Sequence, residues 1–361
     1  MMQWREHLGA ELAKAENPQM ISLSINDNDY YCTCDNCKAS DEKYGAQSGT
    51  LLAFVNKVAE ELEDEYPDVY IHTFAYLYTK KPPVGIKAHK NVIVQMCTDN
   101  ACCEHDYTDS CTGNREIKAM IEGWNDVAEL TYEWDYRNEN HFIYTDIANG
   151  KILRDFRAFA DCGSLGVFMQ SASESQGGFY ELRCYLISKV LWDPYMSEEE
   201  YQSHIDDFLV GYYGEGAAEL IRKGIETVEG KKLKACYGVT YSTFNNDVNS
   251  YFIVSQMLKD VATEALELTK NAMLLTESSS EFAHAEIAQV PYIACVIDNK
   301  YLKYGKGDSA LDAVLEAESR ALQDIFQKYG LTCHGFGVPN IEKFTKSPCR
   351  WKILLVDQMG L

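Results

Sequence analysis

Acidic and aromatic side chains follow several hydrophobic segments of the chain, at the positions where reactive residues of parallel α/β proteins occur. In such folds the reactive residues cluster at the carboxyl ends of the strands. The residues in question are Asn26, Asp27, Asn28 and Asp29 after one segment, Tyr76 and Tyr78 after a second, Trp134, Asp135 and Tyr136 after a third, and Gln170 and Glu174 after a fourth. Carboxylates from separate strands, interleaved with aromatic rings, are typical of sites that cleave glycosidic bonds, which need one protonated acid and one anion.

The catalytic candidates are four carboxylates. We expect Asp27 to act as the general acid/base with Asp29 beside it, since two nearby carboxylates resist double ionisation and can hold one proton at neutral pH. Asp135 is the expected partner carboxylate, and Glu174 is a further candidate. For any one of these acids, a helix N-cap or a solvated loop position is the alternative. The expected substrate-binding residues are Asn26, Asn28, Tyr76, Tyr78, Trp134, Tyr136 and Gln170.

A second set of residues has the chemistry of a metal site. Cys34 and Cys37 have the spacing of a zinc half-site, and a ligand pair from another loop could complete a tetrahedron. The candidate ligands of this structural zinc are Cys32, Cys34, Cys37, Cys97, Cys102, His105 and Cys111. A disulfide and unconnected thiols are the alternatives, whereas a catalytic zinc is disfavoured because thiolate-rich closed sites usually serve structure. We expect no cofactor to be required for catalysis.

Composition excludes several classes of partner. Aspartate and glutamate outnumber lysine and arginine 55 to 33, giving a formal charge of −22. Such a charge repels phosphate backbones and anionic lipid, so neither nucleic acid nor a membrane is an expected partner. The first residues carry charge where a secretory signal needs an apolar run, which predicts a cytoplasmic protein as written, or a secreted one if the chain is a fragment of a longer protein. His72 is expected to be a core histidine, and no glycine-rich phosphate loop is present.

Strand-like and helix-like segments alternate through the first half of the chain, the pattern of a parallel sheet. Helical segments are predicted at about residues 3–16, 48–65, 114–128, 149–162 and 178–191, then at 198–213, 215–228, 248–276, 280–303 and 308–329. The predicted strands are residues 21–25, 69–76, 92–96, 130–134 and 165–169. We therefore predict an α/β barrel-like domain over residues 1–195 and a helical domain over residues 196–361.

Five strands are fewer than the eight that close a (β/α) barrel. The expected fold is thus a partial (β/α) TIM-type barrel of about five parallel strands, followed by an all-helical domain. An open parallel sheet leaves its edge strands uncovered. A second copy of the chain or an upstream segment is the expected cover for the open barrel edge.

A series of motifs resembles a bacterial family, domain-of-unknown-function family 4838, which is grouped with the glycoside-hydrolase barrel superfamily. The motifs include residues 22–28, the cysteines at 32, 34 and 37, Thr73 to Tyr76, Trp134 to Tyr136, and Leu191 to Pro194. The resemblance implies a TIM-type barrel followed by helices, and a glycan substrate by similarity to hexosaminidase-like and α-glucuronidase-like enzymes. It also implies an acid at the end of the fourth barrel strand, which maps onto the Asp27 region.

The sequence therefore predicts a glycoside-hydrolase-like protein that acts on an oligosaccharide or polysaccharide. The alternatives are a non-catalytic carbohydrate-binding or scaffolding protein, and an interaction module built on the cysteine-metal site.

Overall fold

The protein folds into two compact units that interleave along the chain. The computed structural model describes residues 9–14, 19–99, 101–109, 111, 113–138, 146–171, 179–231, 236, 258–304, 320–322 and 324–331. The first unit, here called the sheet unit, comprises Met1–Asp99, Asn114–Asp135 and Arg157–Met169. The second, the helical unit, comprises Asn100–Gly113, Tyr136–Phe156 and Gln170–Leu361. Each unit therefore draws on several separate stretches of sequence.

A five-stranded parallel sheet organises the sheet unit. Its strands are β1 (Met20–Ser22), β2 (Tyr70–Ala75), β3 (Val92–Cys97), β4 (Leu130–Asn138) and β5 (Val167–Ser171), and they neighbour one another in sequence order. The sheet curls into a half-barrel, which confirms the predicted partial barrel and its parallel strands. Long connections between consecutive strands make this possible, because a parallel pair needs a crossover connection.

The first strand is shorter than the sequence predicts, since it ends at Ser22 instead of Ile25. Beyond it, the Leu23 backbone N–H still donates to the His72 carbonyl at 2.8 Å. The Ser24 hydroxyl then accepts from the Phe74 backbone N–H at 3.0 Å. A side chain thus replaces the backbone acceptor and frees the following residues to turn away as a loop.

Helices cover one face of the sheet. Helix α1 (Asp35–Tyr44) precedes α2 (Gln47–Leu62), α3 (Arg115–Val127) lies between β3 and β4, and α4 (Lys151–Asp161) lies between β4 and β5. Helix α2 contacts β2 and β3, and α3 contacts β3. The β2 and β3 side chains that alternate towards this layer are almost fully buried, namely Ile71, Ala75, Val92, Val94 and Met96. We call this the helix face of the sheet.

Helix α1 is absent from the predicted elements. It begins after Cys34 and ends at Gly45, whose φ of +71° is a left-handed conformation that glycine adopts without strain. It buries none of its residues, so it lacks the apolar periodicity that identified the other helices.

The described part of the helical unit includes α5 (Tyr180–Trp192), α6 (Glu198–Tyr213), α7 (Glu215–Glu229), α8 (Lys259–Met273), α9 (Ser279–Ile287) and α10 (Val290–Tyr304). Residues 324–329 are also helical. Ser197 caps α6 by accepting from the Glu200 backbone N–H at 3.0 Å. Ser278 and Glu281 form a capping box at the start of α9. The limits of α6 and α7 agree closely with those predicted, whereas the single helix predicted over residues 280–303 is divided into α9 and α10. Of the helix predicted over residues 308–329, the part before residue 320 lies outside the described residues. Among the described residues, no helix is both long enough and apolar enough to cross a lipid bilayer.

A half-buried carboxylate joins distant parts of the helical unit. Glu229, at the end of α7, accepts backbone N–H groups from Ile147 at 2.6 Å, Ala148 at 3.0 Å and Asn149 at 2.8 Å. These donors lie in the turn just before α4. Burial raises the pKa of Glu229 to about 7 despite the three donors.

Candidate functional site

A cavity of about 770 Å³ opens on the face of the sheet opposite the helices. We call this the cavity face, and it corresponds to the interior of a barrel. Side chains alternate along a strand, so every second residue of each strand points to this face. The cavity is lined by Gln19, Met20, Asp68, Tyr70, His72, Ile93, Gln95, Tyr132, Trp134 and Phe168.

Aromatic rings form a continuous row on the cavity face. Trp134 lies between Phe74, with ring centroids 5.4 Å apart, and Phe168, with centroids 4.6 Å apart. The His72 ring meets Phe74 edge-on at 4.7 Å. Phe168 is 48% exposed and Tyr70 is 41% exposed, so a broad aromatic surface remains open in the sheet unit. Such surfaces are typical of ligand or partner sites.

His72 is held at the floor of the cavity by two polar neighbours. Its Nε2 lies 2.8 Å from Gln95 Oε1, and its Nδ1 lies 3.0 Å from Ser22 Oγ. Gln95 Nε2 donates to the Glu133 carbonyl at 3.4 Å, which leaves Oε1 as the acceptor facing the imidazole. The neutral tautomer that fits carries its proton on Nε2 and accepts the Ser22 hydroxyl at Nδ1. Burial lowers the pKa of His72, in keeping with a neutral ring.

The expected acid Asp27 lies at the carboxyl edge of the sheet, where Tyr76 donates its hydroxyl to Asp27 Oδ1 at 3.1 Å. Burial, together with the charge of Asp27, raises the pKa of Tyr76, so the phenol stays protonated and remains a donor. In the same loops the Tyr31 and Tyr78 rings lie 5.2 Å apart. Burial raises the pKa of Tyr78 as well.

The other residues of this loop are solvent-facing. Asn26, Asp27 and Asp29 are exposed, and Asn28 is half-buried. Asn28 Oδ1 accepts from the Tyr30 backbone N–H at 2.9 Å, so its side chain shapes the loop. Asp27 and Tyr76 are thus brought together as expected, and Asp29 lies two residues along the chain.

Strand β4 separates two residues that the sequence groups together. Trp134 lines the cavity, whereas Asp135 alternates to the helix face and is fully buried. Glu133 shares that face, is also fully buried, and accepts the Ser164 hydroxyl at Oε2. Burial first, and the charge of Asp135 second, raise the pKa of Glu133 to about 8. The partner-carboxylate role expected of Asp135 therefore has no support from its position relative to the cavity.

Two further expected site residues, Tyr136 and Gln170, do not line this cavity. Tyr136 is buried and Gln170 is half-buried, and both belong to the helical unit. Glu174 lies outside the described residues.

The described cysteines gather into two groups instead of one. Cys32, Cys34 and Cys37 form the first group, in the sheet unit, and Cys102, His105, Cys111 and Cys236 form the second, in the helical unit. Within each group the ligand atoms all lie within 4.8 Å of one another. Cys97, a candidate ligand from sequence, is buried at the end of β3 and belongs to neither group.

The first cysteine group lies at the start of α1. The backbone N–H of Cys37, with the neighbouring thiols, lowers the pKa of Cys34 to about 7. This agrees with the effect of a helix N-terminus on a thiol. The thiols of Cys32 and Cys34 raise the pKa of Cys37 to about 12.

Residues 4–226 match the model of a family described as a domain of unknown function (DUF4838). The chain belongs to this family. The DUF4838 match covers the whole described sheet and the helices up to most of α7, so it includes the cavity and the Asp27 loop. No curated protein matches the chain significantly.

Several residues of the site were missed or given another role from sequence. Gln95, Phe74 and Phe168 line or flank the cavity. His72 is buried and hydrogen-bonded at both ring nitrogens, as expected of a core histidine, and it also lines the cavity. The sequence signal that could have found them is the alternation of side chains along a strand. Tyr132 is two residues from Trp134 and so faces the same side of the sheet, and the register pairs Tyr132 with Gln95 and Gln95 with Phe74. Cys236 had no sequence signal, since it lies 131 residues from His105.

Proposed function

We propose that the chain is a glycoside-hydrolase-like protein that binds a carbohydrate in the cavity of its partial barrel. The observation that carries the proposal is the cavity of about 770 Å³ in which Tyr70, Tyr132, Trp134 and Phe168 surround a polar floor. This volume falls within the range of small-molecule sites, which combine many apolar contacts with a few placed polar groups.

The aromatic row suits a sugar ring. Flat faces such as that of Trp134 present apolar surface to the C–H groups of a pyranose, and Trp and Tyr add a polar edge. Phe74 and Phe168 hold the Trp134 ring from two sides, so little conformational entropy remains to be lost on binding.

The polar floor suits hydroxyl donors. With His72 neutral and hydrogen-bonded at both nitrogens, Ser22 Oγ and Gln95 Oε1 each keep acceptor capacity for a further donor. A neutral, acceptor-rich floor beneath aromatic walls favours an uncharged polyhydroxylated ligand over an anion.

The binding proposal is tested by calorimetric titration of the protein with hexosamine, glucuronate and hexose oligosaccharides, which measures the affinity for each. Trp134→Ala is expected to weaken binding of the preferred glycan about tenfold or more, equivalent to ~1.4 kcal/mol. Trp192→Ala is the matched control because Trp192 is 91% exposed and belongs to the helical unit. Equal affinities in the wild type and the Trp134→Ala variant would contradict the proposal.

A second candidate function is hydrolysis of the bound glycan. The Tyr76–Asp27 hydrogen bond favours it, because a fixed carboxylate at the carboxyl edge of the sheet is where barrel enzymes carry their acids. We assign the acid/base role to Asp27 with Asp29 as its neighbour. An acid would protonate the leaving oxygen, and a carboxylate or a water activated by one would complete the displacement.

Hydrolysis is tested with chromogenic hexosaminides, glucuronides and hexosides. Asp27→Asn is expected to abolish turnover, while Asp64→Asn, on the exposed surface after α2, should leave it unchanged. Turnover that persists in Asp27→Asn would remove Asp27 from the mechanism. Glycan binding without turnover on any substrate would favour the non-catalytic carbohydrate-binding function.

A further inference from the structure

We propose that Cys102, His105, Cys111 and Cys236 bind one zinc ion that stabilises the helical unit. Three of these ligands come from a single loop, residues 101–113, and the fourth comes from beyond the end of α7. Cys102 is buried and the other three are half-buried, so the group is enclosed but not inaccessible. This ligand set replaces the single combined site expected from sequence.

The distances between ligand atoms are those of a tetrahedral zinc site. Zinc bonds of about 2.3 Å to sulfur and about 2.05 Å to nitrogen, at tetrahedral angles, put a sulfur and a nitrogen ligand about 3.6 Å apart. His105 Nδ1 lies 3.3 Å from Cys102 Sγ and 3.7 Å from Cys236 Sγ. The sulfur-to-sulfur edge of such a tetrahedron is about 3.8 Å. The limit of 4.8 Å on every pair in the group is compatible with that edge.

The chemistry of the ligands selects the ion. Three thiolates and an imidazole are soft or borderline donors, which disfavour magnesium and calcium and favour zinc among the common divalent ions. Four protein ligands fill the tetrahedron and leave no position for a substrate or an activated water. The site is therefore structural and supplies no step to the proposed glycan chemistry.

The loop that carries three ligands is anchored independently of the metal. The Tyr107 backbone N–H donates to Asp155 Oδ1 at 2.7 Å, and Arg154 Nε donates to Asp106 Oδ2 at 2.6 Å. Asp155 is itself paired with the buried Lys151. Helix α4 thus fixes the loop in place, and a metal would add the connection to Cys236.

The group of Cys32, Cys34 and Cys37 provides an internal comparison. It brings three sulfur atoms together, and within the described residues no fourth ligand is grouped with them. Its cysteines at positions 32 and 34 are exposed. We therefore expect any metal there to be more weakly held than that of the four-ligand group.

The test is the zinc content of the purified protein, measured by mass spectrometry after dialysis against a weak chelator. The wild type is expected to retain one equivalent of zinc. The Cys236→Ser variant is expected to lose this zinc and to have a lower melting temperature than the wild type. Cys34→Ser and Cys162→Ser are the matched controls, because both remove a thiol outside the four-ligand group. Both controls should keep that equivalent.

A second variant separates metal loss from misfolding. Cys236→His restores a zinc ligand at the same position and is expected to recover the bound equivalent that Cys236→Ser loses. Cobalt substitution of the wild type should give the visible absorption of a tetrahedral site with thiolate ligands, with weaker sulfur charge transfer in Cys236→His. A zinc content unchanged by Cys236→Ser, or a wild type that retains no metal and shows no such cobalt spectrum, would overturn the proposal.

Discussion

Replacing Glu133 by glutamine is expected to make the protein more stable above neutral pH and to flatten its pH dependence. Glu133 is fully buried on the helix face of the sheet, its Oε2 accepts the Ser164 hydroxyl, and its Oε1 has no hydrogen-bond partner among the described atoms. A buried carboxylate with so few donors is costly to ionise. Glutamine keeps the shape of the side chain without that cost.

The magnitude follows from the pKa of Glu133, which burial and Asp135 raise from 4.5 to about 8. Because the folded pKa is raised, the folded state binds a proton that the unfolded state releases between these two values. The contribution of Glu133 to stability is therefore greatest below pH 4.5 and is lost as pH rises to about 8. The difference of about 3.5 between the two pKa values corresponds to at most about 5 kcal/mol, and to roughly 3 kcal/mol at pH 7.

The assay is urea denaturation of the wild type and Glu133→Gln at pH 5.5, 7 and 8.5. The difference in unfolding free energy between the two proteins isolates Glu133, since other titrating groups are common to both. We expect this difference to grow in favour of the variant with rising pH. Glu129→Gln is the control, because Glu129 is exposed immediately before the same strand. A difference that is constant across this range would refute the reasoning.

Two further substitutions test other buried or half-buried polar groups. Because burial lowers the pKa of His72, the protein is expected to lose stability as pH falls below about 6.5. The His72→Gln variant should lose less stability over the same pH range. A His72 NMR resonance that titrates at or above pH 6.5 would contradict this prediction. Glu229→Gln should lower the free energy of unfolding by roughly 2–3 kcal/mol, since an amide offers one acceptor oxygen for three backbone donors. Glu226→Gln, which breaks only a surface pair with Arg222, should cost under about 1 kcal/mol in the same urea titration.

Much of the fold could be predicted because local signals suffice for it. Hydrophobic runs marked all five strands, and apolar periodicity marked most of the C-terminal helices that the structure describes, although it did not separate α9 from α10. Helix α1 was not predicted because none of its residues is fully buried and because its N-cap, Cys34, makes no side-chain cap hydrogen bond. The early end of β1 was not predicted because it depends on the Ser24 side chain, which replaces a backbone acceptor. Such a replacement does not change the pattern of apolar residues.

The site was harder to predict than the fold. The positions of Asp27 and Tyr76 follow from the rule that residues after neighbouring parallel strands converge, and the structure joins them. The side of the sheet to which Asp135 points was not predicted, because apolar patterning in a parallel sheet does not indicate which residues face the helices. Register alone decides this, and it aligns Glu133 with the buried Met96.

The carboxylate of Glu229 also has a consequence for how the chain folds during synthesis. The three N–H groups that it accepts belong to residues made about 80 residues earlier. At a synthesis rate of roughly 5–20 residues per second, Glu229 leaves the ribosome on the order of 4–16 s after these N–H groups do. Residues 146–156 therefore emerge well before their unit can close, whereas the sheet unit is complete as soon as its last segment, Arg157–Met169, has followed them. We expect cotranslational folding to begin in the sheet unit, and truncations before residue 229 to leave the start of α4 open to proteases.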